Sequence, residues 1–228
     1  MKRIFTVFSV ICMFVFLCPM SALAGPIGGL GYNFGQDRFS FSLAGSVSYG
    51  QRDVQMVSNE NIENQIRSWN FLSKISVAPI KYVDVYGLIG VADMQFEEGG
   101  YKGPLNTAYG GGIRPMLFPL VWDSQLNICL DGQYLGSSTS DGDVWAKMHN
   151  LHGALIFAYL LNSFTPYGGF KYDYLFVEVK GQNTNMESKV EIAVFAGCDV
   201  FVTPNVFFNA EVSLFSETRI SAGVGYKY

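Results

Sequence analysis

From Glu217 to Tyr228 the chain alternates without a break. Ile220, Ala222, Val224, Tyr226 and Tyr228 share one face of an extended segment, and Arg219, Ser221, Gly223, Gly225 and Lys227 share the other. A strand of this kind has one apolar and one wet side. In a soluble sandwich the apolar side would turn inward, but this segment finishes on an aromatic residue with no polar tail, which suits a strand closing a barrel in lipid.

The first stretch has the form of a processing signal. Lys2 and Arg3 supply a positive start, Ile4 to Leu17 an apolar core, and Ala22-Leu23-Ala24 a small-x-small cleavage site. Residues 1–24 are therefore expected to be removed, leaving 25–228 as one barrel domain. A lipoprotein anchor at Cys18 is the rival, disfavoured by Phe16 and Leu17 where that signal wants small residues. A retained helix is the other, but its apolar core is short of the about 20 residues a span needs. No later run approaches that length, so any membrane span must be built of strands.

Composition supports the same reading. Charged residues are 15% of the chain, against about 25% in soluble domains, whereas a soluble sandwich would carry more charge on its outer faces. A net charge of −4 leaves no basic footprint, and nucleic acid is not an expected partner. Past the signal only Cys129 and Cys198 remain. They fall on opposite phases, Cys129 with Asp123, Gln125, Asn127, Asp131 and Gln133, and Cys198 with Val190, Ile192, Val194, Ala196 and Val200, so no disulfide is expected between them.

Taken in order, the alternation predicts an all-β, closed antiparallel transmembrane barrel of ten strands, with eight as the alternative. Strands are expected near 38–49, 69–77, 82–95, 107–114, 122–135, 145–161, 170–179, 191–200, 206–214 and 219–228. Gly50 to Ile66 loses the period and is expected as a long polar loop; Glu97–Asn106, Gly136–Asp143 and Lys180–Ser188 are expected as further loops, and Pro104 lies in one of them. Pro79, Pro115, Pro119, Pro166 and Pro204 are expected at one set of short turns, where a missing N–H costs no ladder bond. Trp69, Trp122 and Trp145 stand at strand ends, as girdle residues do.

The run Ser163-Phe164-Thr165-Pro166-Tyr167-Gly168-Gly169-Phe170-Lys171-Tyr172, the start Val83-Asp84-Val85-Tyr86-Gly87, and the terminal alternation together resemble the small Gram-negative outer-membrane β-barrels of the OmpA-like or opacity-like kind. The resemblance implies an outer-membrane location, lipid as surroundings, and insertion by the barrel-insertion machinery through the strand ending at Tyr228. It assigns no activity.

The expected lumen network is Lys74, Arg114, Asp123, Asp131, Lys171, Asp173, Glu191, Asp199, Glu211, Arg219 and Lys227. Charges in a narrow bore must pair or be hydrated. The first expectation is thus a salt-bridged, mostly occluded, non-enzymatic barrel with an envelope-structural or surface-recognition role, the Gly50–Ile66 loop being the candidate for an extracellular ligand. The alternative is a small ion-conducting pore. A rim enzyme that cleaves lipid or peptide is the third class, and His149 and His152, its only histidines, lack a His-x-Ser setting. No catalytic residue, cofactor or metal site is expected; Glu97-Glu98 and Asp141-x-Asp143 fall short of a calcium loop.

Overall fold

Period-two alternation becomes strand pairing throughout the computed structural model, which describes residues 40–98, 100–119, 125–180, 184–189 and 191–228. The cleaved segment expected at 1–24, Trp122 and Asp123 lie outside the described residues. Eleven strands follow one another: β1 (Ser40–Met56), β2 (Asn59–Ile80), β3 (Val83–Phe96), β4 (Lys102–Pro119), β5 (Leu126–Asp141), β6 (Val144–Tyr159), β7 (Phe164–Lys180), β8 (Thr184–Ser188), β9 (Ile192–Phe201), β10 (Val206–Phe215) and β11 (Thr218–Lys227).

Ten of these close a ring. Each strand from β1 to β7 pairs antiparallel with the next, β7 pairs with β9, β9 with β10, β10 with β11, and β11 returns to β1 with Gly50 opposite Arg219. Closure gives the backbone donors and acceptors partners within the sheet, the condition for a strand-built wall in hydrocarbon. The ends of β1 at Ser40 and β11 at Lys227 lie together, and this side is called the near end.

At the far end the strand count changes. β8 and β9 descend in succession beside β7: β8, ending at Ser188, pairs with Phe176–Val179, and β9, beginning at Ile192, with Phe164–Tyr172. β8 also pairs directly with β1, Val54 to Met56 opposite Ser188 to Met186. The upper wall is therefore a ring of eight (β1 to β8), and the lower wall a ring of ten in which the β10–β11 hairpin wedges between β9 and β1. Ten is the count expected first; a barrel of eight throughout is not found, and the ring of eight above arises because β8 closes on β1. Above the Ala108–Ser137 rung the β4–β5 seam is carried by the Thr139 hydroxyl donating to the Pro104 carbonyl (3.0 Å) and the Lys102 N–H donating to Asp141 (3.1 Å).

Side chains sort as the phase predicts. Leu43, Phe71, Ile75, Val85, Ile89, Ile113, Leu130, Leu151, Phe157, Phe170 and Phe208 are exposed on the outer face, while Ser42, Asn70, Lys74, Arg114, Asp131, Asn150 and Glu211 are buried inside. Two interior rings lie over glycines of the neighbouring strand. The Tyr86 ring lies over Gly112 and the Phe207 ring over Gly225, where any Cβ would collide with them.

Several loop expectations are corrected. Gly50–Ile66 is a β1–β2 hairpin, with Gln51 opposite Arg67 and Asp53 opposite Gln65, turning at residues 57–58. Its outward polar residues face water beyond the bilayer rather than lipid, which erased the apolar half of the alternation. For the same reason β5 continues to Asp141, and Pro104 stands inside β4, next to a register shift between Ala92 and Met94. Part of Lys180–Ser188 is β8. Pro115 and Pro119 lie within β4 beside another irregularity, between Met116 and Phe118.

Candidate functional site: the barrel interior

The interior is layered, and each layer follows from which residues the strands turn inward. One charged group lies on β2 to β6. Arg114 Nε donates to Asp131 Oδ2 at 2.7 Å, and Arg114 Nη1 stands 3.7 Å from Asp84 Oδ2. The other Asp131 oxygen accepts from the Tyr86 hydroxyl at 2.7 Å and lies 3.3 Å from His152 Nε2. Lys74 Nζ sits 4.1 Å from the centre of the Tyr86 ring, a cation–π contact that keeps this ammonium within the group. Two cations thus face two carboxylates.

Across the bore, on β1, β7, β10 and β11, lies the second group. Arg52 Nη2 stands 2.7 Å from Asp173 Oδ2 and 3.5 Å from Glu217 Oε2, and Lys171 bridges Asp173 at 3.2 Å and Glu217. Arg219 Nη2 donates to Glu211 Oε1 at 2.7 Å and reaches Glu217 at 3.6 Å. Below them the Tyr167 hydroxyl donates to Glu211 (3.0 Å), and the Asn209 amide donates to the Tyr167 oxygen (2.9 Å) and to Asp199 (2.7 Å). Three cations here meet Asp173, Glu211 and Glu217 directly, their side chains shut off from water, and Asp199 joins through the Asn209 amide. In a medium that screens poorly, such charges are tolerable only as this kind of paired, hydrogen-bonded set.

The second group sits where the wall changes from ten strands to eight. Glu217 is buried at the tip of the wedge hairpin. Its neighbour Phe215 takes a positive φ of 85° and turns outward, 77% exposed. The Ser216 N–H donates to the Ile192 carbonyl and the Asp173 N–H to the Glu191 carbonyl, so the chain entering β9 is bonded to both flanks.

The far-end layer is apolar. Val54, Ile66, Met94, Phe96, Ala146, Met148, Leu175, Val177 and Met186 form one buried cluster inside the ring of eight. The Thr139 and Ser188 hydroxyls buried at the same rungs bond the backbone rather than the charges below. Near the other end Met116, Cys129, Ile156, Ala158, Tyr167 and Phe195 form another apolar cluster, and a 430 Å³ cavity beside the turns is lined by Leu160, Thr165, Phe201, Pro204 and Lys227.

Of the expected network, Lys74, Arg114 and Asp131 come together in one group and Lys171, Asp173, Asp199, Glu211 and Arg219 in the other. Asp123 lies outside the described residues. Glu191 is corrected: it precedes β9 at the strand break and hydrogen-bonds Tyr172, which is exposed on the outer face, rather than joining the lumen charges. Lys227 faces the near-end cavity. Sequence reasoning missed Arg52, which lies in the stretch expected as a polar loop, and Glu217, which opens the closing strand in phase with Arg219 but was not counted among the lumen charges. Asp84 was legible from its phase beside Val83 and Val85. Cys129 is buried inside and both cysteines are free, as their phases required.

The histidines stand apart. His149 Nδ1 is 2.8 Å from the Tyr134 hydroxyl on the outer wall, and His152 belongs to the Asp131 group. Among the described residues no set of three or more His, Cys, Asp and Glu is arranged to hold a metal ion.

No family model matches the chain, and no curated protein matches it. Solved structures do. The outer membrane protease OmpT from Escherichia coli is 13% identical, with 86% of this chain and 98% of that one covered at a TM-score of 0.46. The translocator domain of the autotransporter NalP from Neisseria meningitidis is 12% identical over 82% and 88% at 0.43. The Acinetobacter baumannii outer membrane protein Omp33 is 10% identical over 83% and 98% at 0.29. The expectation that the chain is not an enzyme does not stand, since a protease is among the barrels it is similar to. At these identities the likeness concerns architecture and assigns no activity. At the level of fold, the chain is an antiparallel β-barrel closed by ten strands, apolar on its outer face and with charged and apolar layers within.

Proposed function

We propose that the protein is exported to the outer membrane of a Gram-negative cell and stands there as a sealed barrel with a narrow, salt-bridged, occluded lumen, in an envelope-structural or surface-recognition role. The observation that carries this reading is the apolar cluster filling the ring of eight. An ion climbing from the charged layers would have to shed its water there, and burying a bare charge in apolar surroundings costs several kcal/mol even after relaxation. The near end, where β1 begins and β11 ends, faces the periplasm, and the hairpin at residues 57–58 faces outward. Insertion through the strand ending at Tyr228 by the barrel-insertion machinery belongs to the same proposal.

The charged layers then act as internal struts. They join β1, β7, β10 and β11 across the bore, where a ten-stranded ring leaves room that apolar side chains of ordinary size would not fill. Single-channel recording of the refolded protein in a planar bilayer tests the reading. Silence from protein that keeps its folded mobility on a gel supports it; stable ion-selective steps would sink it and establish a small pore instead.

A further inference from the structure

The apolar cluster that seals the far end also floors a pocket. A cavity of 210 Å³ opens at that mouth between the β1–β2 hairpin, the β3–β4 connection and β8. Val54, Met56, Phe96, Tyr101 and Met186 form its inner surface, and the Phe96 and Tyr101 ring centres stand 5.2 Å apart with 44° between their planes. Apolar cavities of about 150 Å³ accept a benzene-sized ring, so this one has room for a ring and a short substituent.

The lip is built and acidic. Asn64 fixes it by accepting from the Glu98 N–H and donating to the Glu98 carbonyl, both at 3.1 Å. Glu63 and Glu98 line the cavity there, and Glu97 precedes Glu98. Lys189 is 2.6 Å from Glu63 and Arg67 is 2.7 Å from Glu97. The Glu98 carboxylate, on the cavity lining, has no cation within 4 Å among the described residues. An apolar cage under an acidic lip matches a molecule with one apolar body and one positive head.

We propose that this mouth binds a small amphipathic cation, a primary amine bearing a single ring or branched alkyl group, with the ring among Phe96, Tyr101 and Met186 and the ammonium at Glu98. The site rests on the sealed reading, because the seal is its floor.

Calorimetry on the refolded full chain in detergent, with benzylamine as probe and benzyl alcohol as its neutral counterpart, tests it. Saturable benzylamine binding is expected. Met186→Phe, which fills the cavity, should weaken it about tenfold or more, equivalent to one cavity-filling ring's worth of contact. Glu98→Gln, on the exposed lip, should weaken benzylamine about threefold and leave benzyl alcohol unchanged. No saturable signal from folded protein, benzyl alcohol binding as well as benzylamine, or binding indifferent to both substitutions would each overturn the site. Bilayer recording on the same sample separates the two failures: silent protein that binds nothing sinks the pocket alone, and conducting protein sinks the seal.

Discussion

Arg52 on β1 and Asp173 on β7 meet at 2.7 Å, at the height where the wall passes from ten strands to eight. The two strands share no ladder pairing, and Arg52 Nη1 also donates to the Asp173 carbonyl at 3.4 Å. Their ion pair, with Lys171 and Glu217, joins across the bore what the ladder leaves to β8 above and to the wedge hairpin below.

Glu217 is the acid common to Arg52, Lys171 and Arg219. Glu217→Gln removes one charge from a buried set and leaves three cations facing two carboxylates. Breaking a buried pair this way costs about 3–5 kcal/mol. The urea midpoint for loss of the folded gel band should fall accordingly. An unchanged midpoint would mean that the hairpin tip is held by its backbone bonds alone.

The seal makes a second expectation. Arg114→Ala disturbs the lower charges but leaves the ring of eight filled, so bilayers should stay silent. Paired Met94→Ser and Leu175→Ser substitutions open the apolar layer and admit water, at about 2–5 kcal/mol of stability for each large-to-small change. Provided the folded band persists, current steps should appear. Steps from Arg114→Ala but not from the layer variants would place the barrier among the charges instead.

Glycines on the two faces of the wall should respond in opposite ways. At Gly112 an added Cβ would meet the Tyr86 hydroxyl and ring, displacing the donor from Asp131, whereas at Gly132 and Gly153 it would meet nothing within 4 Å. Gly112→Ala is expected to cost about 1–3 kcal/mol. Gly132→Ala and Gly153→Ala should stay within about 0.5 kcal/mol. Urea midpoints of the three variants decide it; equal effects would remove the case for the Tyr86–Gly112 fit.

The cysteines give a readout of phase. Cys129 is buried in the near-end apolar cluster and Cys198 is half-buried on the opposite face of the wall. An apolar maleimide should label Cys198 in folded protein and reach Cys129 only after unfolding. Labelling of Cys129 first would reverse the assignment of faces.

What the sequence made legible was everything governed by a period of two between lipid and lumen. Strand direction, the inward set from Lys74 to Arg219, and the separation of Cys129 from Cys198 all follow from it. Its reach ended where the outside of a strand is water. Gln51, Asp53, Gln65 and Arg67 pair in a regular ladder, but polar residues on both faces carry no alternation, so a hairpin there looks like a loop and Arg52 was lost with it. The succession of β8 and β9 was invisible for another reason. Whether a descending segment closes on β1 or makes way for a hairpin depends on pairing between residues more than 130 apart, Val54 with Ser188 among them, and no local pattern records that choice.

The same contrast between the two hairpin tips yields the last expectation. Residues 57–58 and the Gly142 turn, where φ is 58°, lie at the far end with exposed residues around them. The turn at Ser216 looks equally short in sequence, yet Ser216 and Glu217 are buried under β8. Exposed turns accept insertions because no buried backbone is displaced. A short epitope inserted after Val57 or Gly142 should therefore leave a folded barrel and be bound by antibody on intact cells. The same epitope after Ser216 would have to pass through the Lys171–Glu217 contact and the Ser216 bond to Ile192, and no folded band should form. A folded, surface-labelled barrel from the Ser216 insertion would show that the β10–β11 tip reaches the far end, and that the wall keeps ten strands throughout.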